Sequence, residues 1–374
     1  DIFALSDKDD STKIFSALKE KLSAGNFSVL QLKRGSAVLN GSENIEKGQV
    51  GQLREEVERD LWMTEKNDNI SISLKLTGGK VLFDDKSAIQ RVQVVDTKMF
   101  GKMLYLDGAI MTSEIDEYHY HEMISHTAIF THGNVKDVLV IGGGDGGTSR
   151  EVLRHTGIER VTQVEIDGMV VDACKKHIPV TACSYDNPKL NLIVGDGIQY
   201  VKDSKDTSFD VVIVDGYDPV GPSEGLFSVE FYRNVHRILK DGGILVSQGE
   251  APRFDEKACL GLNRALRDIF GDDKAHMAFY NTPTYPTGLW TFQYGLKGDY
   301  NIKEPKNPEE IEKFAEEQGL RYYDSDVHRG SFLLPRFLKK MIANNTKPLQ
   351  KDDALIYFLN ACWSYLFVFF LFVF

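Results

Sequence analysis

From residue 137 onward, short and almost wholly apolar runs alternate with segments of helical period. The pattern predicts strands at residues 138–141, 160–165, 190–194, 209–215 and 243–248, and later ones near 275–280 and 291–296. Helices are expected at 116–130, 149–155, 169–178, 229–239 and 256–269. Runs such as VLVI and VVIV carry no polar alternation, as expected of strands covered by helices on both faces. Between Trp62 and Leu106 the rhythm changes to period two: ISISLKL, a Gly-Gly turn, KVLFDD, IQRVQVVDT and KMLYLDG predict a small antiparallel sheet. Upstream, a helical pattern spans 13–22 and a single strand is expected within 27–39. The fold class is therefore α/β: a Rossmann-like doubly wound sheet of the methyltransferase type with a small N-terminal antiparallel β domain. Four segments follow: an extension of unassigned role (1–55), the β domain (56–115), the catalytic domain (116–345), and a polar linker with a hydrophobic tail (346–374). No internal repeat is visible.

Composition adds limits. With 374 residues, 42% of them hydrophobic and 26% charged, the chain is long enough for a large core and a smaller module. A formal net charge of −11 argues against general nucleic-acid binding and mildly favours cationic ligands. Cys174, Cys183, Cys259 and Cys362 form no CxxC pair, so reduced thiols and a cytoplasmic setting are expected rather than disulfides or zinc. No secretory signal is visible, although the chain begins at Asp1 and leaves room for an upstream segment. The 21 residues from Ala354 to Phe374 carry no charge and are long enough to span a bilayer. Their Phe, Leu and Val content fits translation of T-rich non-coding sequence equally well, and both readings stay open.

The stretch DVLVIGGGDGGTSREVLRH holds the most informative local chemistry. A strand, a glycine turn and a helix in that order suit a nucleotide, because the backbone can approach the ligand and the helix amides face it. Asp145 lies within the turn, where it would repel a pyrophosphate or a second carboxylate. Other acids fall at the ends of successive strands: Glu165, Asp196, and Asp215 with Asp218. Ligands of such sheets sit outside those ends, so the joint placement outweighs the ordinary reading of each acid as a solvated loop residue. Glu165 lies about 20 residues past the loop, the usual place for a carboxylate on a ribose diol. The GDG at 195–197 would set a carboxylate near an adenine amino group. Like charges about 4 Å apart cost on the order of 1 kcal/mol in water and several at a partly buried site. Asp145 thus disfavours S-adenosylmethionine, which has a carboxylate, and favours its decarboxylated form, which ends in an amine. The DGYDPVGP loop, Gln248 and Glu250 of SQGEAP, and Tyr285 of TPTYPTG supply acids and aromatic surface suited to an extended polyamine. Taken singly, Tyr285 is more simply a turn-packing ring and Gln248 a strand-end cap.

From Trp62 to Asn344 the chain resembles the spermidine synthases, aminopropyltransferases with a small N-terminal β domain and a Rossmann-like catalytic domain. The matching runs are LDGAIMTSEIDEYHYHEM, VLVIGGGDGG, EID, GDG, DGYDPVGPSEGLF, QGE, PTYPTG and YYDSDVHRGSFLLP. The resemblance implies that Gln90, Asp145, Glu165, Asp196 and Gly197 bind decarboxylated S-adenosylmethionine. It implies that Trp62, Tyr120, His121, Asp218, Gln248, Glu250 and Tyr285 line the amine channel, and that Asp215 is the acid-base residue. The nucleoside would be a co-substrate, with no separate cofactor, and the protein a homodimer. His121 precedes Glu122, but no HExxH spacing exists and no metal site is expected. Met111 stands where the family often has Gln, and Gly216-Tyr217 where it often has two serines; both changes bear on selectivity. Retention of Asp215 and Asp218 favours putrescine, although agmatine or cadaverine would suit similar residues. The competing readings are an S-adenosylmethionine-dependent methyltransferase, a catalytically silent amine-binding homologue tethered by the tail, and, more distantly, a nicotinamide oxidoreductase.

Overall fold

A computed structural model describes residues 29–32, 35–38, 59–67, 70–216, 225–286 and 288–345. The helix expected at 13–22 and the hydrophobic tail lie outside these residues. Among the described residues, no helix is long and apolar enough to cross a membrane.

Instead of one strand within 27–39, β1 (Val29–Leu32) and β2 (Gly35–Val38) pair antiparallel. An antiparallel sheet of five strands follows in the order β3-β4-β5-β6-β7: β3 (Arg59–Asn67), β4 (Ile70–Lys86), β5 (Arg91–Thr97), β6 (Gly101–Leu106) and β7 (Ala109–Ser113). Strands β3 and β7 were not among the sequence expectations. Gly78-Gly79 does not end a strand, as the sequence suggested. Strand β4 runs through it, pairing with β3 up to Gly79 and with β5 from Lys80. Gly78 takes a φ of 65°, and a Cβ on Gly79 would lie 2.8 Å from Leu61 Cδ1. The glycines thus make a bend within one strand that lets it change partners.

The second sheet has seven strands in the order β10-β9-β8-β11-β12-β14-β13. These are β8 (Asp137–Gly142), β9 (Arg160–Glu165), β10 (Leu190–Val194), β11 (Phe209–Asp215), β12 (Leu239–Gln248), β13 (Ala275–Tyr280) and β14 (Trp290–Leu296). Only β14 runs against the rest. Period two explains why its central strands read as unbroken apolar runs. Val138, Val140, Val211 and Ile213 pack toward Met123 and Ile124 of α1 (Glu117–His132). Leu139, Ile141, Val212 and Val214 face the opposite layer, with α6 (Val229–Ile238) and α7 (Glu256–Phe270). Each such side chain, fully buried, is worth roughly 1.5–3 kcal/mol, so both helical layers are held strongly.

The remaining helices are α2 (Gly147–Leu153), α3 (Gly168–His177), α4 (Pro179–Ala182), α5 (Gly197–Asp203), α8 (Pro308–Gln318), α9 (Ser325–Ser331) and α10 (Arg336–Asn344). The last three, together with α4 and α5, were absent from the sequence expectations. Val170, Ala173 and Cys174 of α3 pack on Val92, Val94, Leu104 and Leu106, joining the two sheets. The carboxyl ends of β8, β9 and β11 therefore open toward the smaller sheet.

Candidate active site

A cavity of about 470 Å3 occupies that junction. Ten of the sequence-derived residues line it: Gln90, Tyr120, His121, Asp145, Glu165, Asp196, Gly197, Asp215, Gln248 and Tyr285.

Its floor is the glycine loop. Gly142 and Gly143 have φ values of 86° and 67°, which side-chain-bearing residues rarely adopt. The loop thereby folds back on β11, with the Gly143 amide donating to the Asp215 carbonyl at 3.0 Å. Gln163 donates to the carbonyls of Gly142 and Gly143 at 2.9 and 2.6 Å, and the Tyr185 hydroxyl to that of Gly144 at 2.8 Å. At Gly147 the missing Cβ leaves room for the His121 ring.

Asp215 ends β11 with its carboxylate held by two hydroxyls: Tyr120 donates to Oδ1 and Thr148 to Oδ2, each at 2.6 Å. Burial raises its pKa, as does the nearby Asp145, against the opposing pull of His121, Thr148 and Tyr120. Burial foremost, with Asp215 adding to it, holds the Tyr120 hydroxyl far above its usual pKa. Asp145 accepts from the Gly147 amide at 2.8 Å and lies 3.3 Å from His121 Nε2. On the other edge of that ring, Nδ1 is 2.6 Å from Glu117. Glu117 in turn receives two bonds from Arg150, at 3.0 and 2.8 Å. Burial opposes the charge on His121, but its two carboxylate partners prevail and push its pKa up to about 10. Burial likewise opposes the charge on Glu117, yet His121 and Arg150 bring its pKa down to about 2. His121, assigned from resemblance to the amine channel, is thus an imidazolium clamped between Asp145 and Glu117.

Glu165 ends β9, accepts from the Asp167 amide at 2.8 Å, and has its pKa pushed up to about 7 chiefly by burial. Gln90 reaches Asp167 at 3.1 Å, linking the loop before β5 to the cap of α3. The Asp196 carboxylate caps α5 through the amides of Ile198 and Gln199, while a Cβ on Gly197 would lie 2.6 Å from Ile141 Cγ2. Tyr285 packs edge-on to Trp290 and donates its hydroxyl to the Met111 carbonyl at 2.7 Å. Gln248 Oε1 accepts from the Glu250 amide at 3.2 Å.

Two expected residues do not line the cavity. Trp62 is 65% exposed on β3 and does not line the cavity, because an odd spacing along a strand puts it on the face opposite Glu65, which does. Glu250 is fully buried but is not on the cavity wall; its backbone turns at a φ of 65° just past β12. Asp218 and Tyr217 lie outside the described residues. Sequence reasoning missed Glu65, which accepts from the Ile110 amide at 3.2 Å, and Thr148. It also missed Asp116, which receives the Ser113 hydroxyl at 2.6 Å and the Thr284 amide and hydroxyl at 2.8 and 3.0 Å, tying α1 to the turn that carries Tyr285. Among the described residues no group of three His, Cys, Asp or Glu side chains is placed to hold a metal ion.

Two family models match the chain: the spermine/spermidine synthase domain over residues 117–304 and the spermidine synthase tetramerisation domain over 61–114. A polyamine aminopropyltransferase of Desulforudis audaxviator is 45% identical over 279 residues, covering 74% of this chain and 98% of that protein. One from Methanocaldococcus jannaschii is 44% identical over 285 residues, covering 75% and 95%. A crystal structure of spermidine synthase in complex with the transition-state analogue AdoDATO superimposes with a TM-score of 0.72 at 34% identity, covering 78% of this chain and 97% of that one.

Proposed function

Because the chain belongs to the spermine/spermidine synthase family and is on that ground an aminopropyltransferase, we propose that it carries the aminopropyl group of decarboxylated S-adenosylmethionine to putrescine, giving spermidine and methylthioadenosine. The observation that carries this reading is Asp215: a buried carboxylate at a strand end, held by two hydroxyls, in a cavity that also contains Asp145 and Glu165.

In this reading Glu165 takes the ribose diol, Asp196 and Gly197 the adenine, and Gln90 the nucleoside edge. Asp145 faces the aminopropyl ammonium, where a substrate carboxylate would be repelled. The acceptor lies against Tyr120, Tyr285 and Trp290, with Gln248 and Glu65 at its polar contacts. Asp215 removes a proton from the attacking ammonium. The nitrogen lone pair then forms the new C–N bond at the methylene beside the sulfonium, the C–S electron pair stays on sulfur, and methylthioadenosine leaves neutral. Asp215 needs enough proton affinity to act, and burial supplies it. Holding both substrates in line supplies several kcal/mol more, on the order of what well-oriented intramolecular reactions gain. The nucleoside is consumed as a co-substrate, and no further cofactor enters.

The working unit is proposed to be a homo-oligomer. The name of the model matched at 61–114 supports assembly, and analytical ultracentrifugation separates a dimer from a tetramer. The activity is tested by incubating the protein with decarboxylated S-adenosylmethionine and, separately, putrescine, cadaverine, agmatine and spermidine, then quantifying methylthioadenosine and each product. Preferential turnover of putrescine supports the reading. Turnover with another amine alone moves the acceptor assignment, and binding without turnover removes the enzymatic one.

A further inference from the structure

Thr148 has no assigned part in the reaction as described so far, yet its position is unusual for a helix residue. It is the second residue of α2, wholly buried, and its hydroxyl donates to Asp215 Oδ2 at 2.6 Å. Its backbone carbonyl is held from α1 by the Ser125 hydroxyl at 3.3 Å, and its β-branched side chain has few rotamers to choose from. The opposite carboxylate oxygen already has its own donor, Tyr120.

We infer that Thr148 is a positioning residue for aminopropyl transfer, its hydroxyl fixing Asp215 through Oδ2 while Tyr120 fixes it through Oδ1. The inference rests on the aminopropyl reading. A carboxylate offers about four lone-pair directions, so two hydroxyls orient it and still leave acceptor capacity for the substrate ammonium. They also stabilise its charged form. Burial and Asp145 push Asp215 toward the protonated form, which cannot receive the amine proton, and the two hydroxyls pull against them. The other charged or titratable groups facing Asp215 are Tyr120 and His121 from α1, Asp145 from the glycine loop and Glu165 from β9. Asp145 and Glu165 oppose its ionisation and His121 favours it. Thr148 is therefore one of few groups tipping Asp215 toward the base form, and, unlike His121, it can be replaced without changing any charge.

The direction follows from which state the hydroxyl binds. Thr148 donates to the carboxylate, so removing it raises the proton affinity of Asp215. In Thr148→Val, which keeps the branched shape and removes the donor, the acidic limb of the kcat profile should move up by about one pH unit, a tenfold change in proton affinity. The alkaline plateau should fall as well, because Asp215 loses one of the two hydroxyls that orient it. Thr148→Ser, which restores a hydroxyl, should return the limb toward its original position. A limb that stays put in Thr148→Val, whatever the loss on the plateau, overturns the inference. The same shift is read without turnover by following the Asp215 carboxyl carbon by NMR across pH in the ligand-free protein. Failure of the aminopropyl reading instead appears as absence of turnover by the unsubstituted protein.

Discussion

Helix α1 borders two buried regions that treat the same residue type in opposite ways. On the cavity side, His121 lies between Asp145 and Glu117 and is held charged, its pKa up to about 10. On the far side, His126 meets Glu151 at 3.1 Å and His155 at 2.9 Å, within a cluster of rings. There His155 stacks on Phe314 with centroids 4.4 Å apart, and burial, with His126 adding to it, takes its pKa well below the usual histidine value. Burial is common to both regions and penalises charge in both. The difference lies in the partners: two carboxylates around one ring, against a second imidazole and aromatic faces. Arg150 joins the regions through Glu117 and, at 2.7 Å, Glu151. On the far side the charge is confined to Glu151 and the Arg150 and Arg154 that hold it, and uncharged rings pack around them.

The most severe test of that division is Asp215→Asn. If Asp215 is the general base proposed above, its loss with the shape kept should lower kcat about a thousandfold, within the range general-base contributions span. The thermal midpoint should change little, because the amide still accepts one hydroxyl. A loss of less than tenfold in methylthioadenosine release would remove Asp215 from the chemistry. The next largest effect belongs to Glu117→Gln. It leaves Arg150 and His121 each short of a buried counter-ion, and breaking such a pair costs about 3 kcal/mol, read as a drop in the denaturant midpoint. Since the His121 pKa is raised in the fold, its contribution is complete below the unfolded value of 6.5 and is lost as pH rises toward about 10. In Glu117→Gln the loss should still begin near 6.5 but be complete at lower pH, because only the folded value falls. An unchanged alkaline stability profile would show that Glu117 does not hold the His121 charge.

Much of the cavity was legible because its signals are local. The glycine loop, Glu165, the GDG and Asp215 each follow an apolar strand directly, and the rule that ligands sit at strand ends gathers them without knowledge of packing. What escaped depends on chain segments far apart. Glu65 faces the cavity only because β3 pairs with β4 in one register, and the short run around Trp62 did not fix which face would be inward. Thr148 reads in sequence as an ordinary helix residue, since its partner Asp215 lies 67 positions away. Asp116 binds Thr284 across 168 positions. The turn at Glu250, with a φ of 65°, which leaves that residue buried and off the cavity wall, is invisible in composition. The bend at Gly78-Gly79 read as a turn because two glycines most often make one. The two halves of β4 are revealed as one strand only by their different partners.

A smaller effect separates Glu165 from the paired carboxylates around it. Its pKa of about 7 means that ligand-free protein near neutrality is a mixture of acid and carboxylate at this position. A ribose diol donates two hydrogen bonds, and the carboxylate is the stronger acceptor of both. Methylthioadenosine should therefore bind severalfold more tightly at pH 8 than at pH 6, with the change centred near 7. In Glu165→Gln, calorimetric titration should show weaker binding and a flattened pH dependence. A slope that persists in the variant would assign the titration to another group, with Asp215 the first to examine.

The smallest expected effect is the control for the whole comparison. In His155→Phe the neutral ring stacked on Phe314 is replaced by another neutral ring, at the cost of one hydrogen bond from or to His126, so stability should fall by about 1 kcal/mol. kcat and the nucleoside KM should stay within about twofold of the original. The pH sign differs from that of His121. A histidine kept neutral in the fold destabilises it below the unfolded pKa of 6.5, where the unfolded chain gains a proton that the buried ring cannot. His155→Phe should therefore lose less stability than the original protein between pH 6.5 and 5. If instead kcat fell tenfold at neutral pH, the rings behind α1 would have to influence Asp215 through Glu151, Arg150 and His121, and the two regions would be one electrostatic unit.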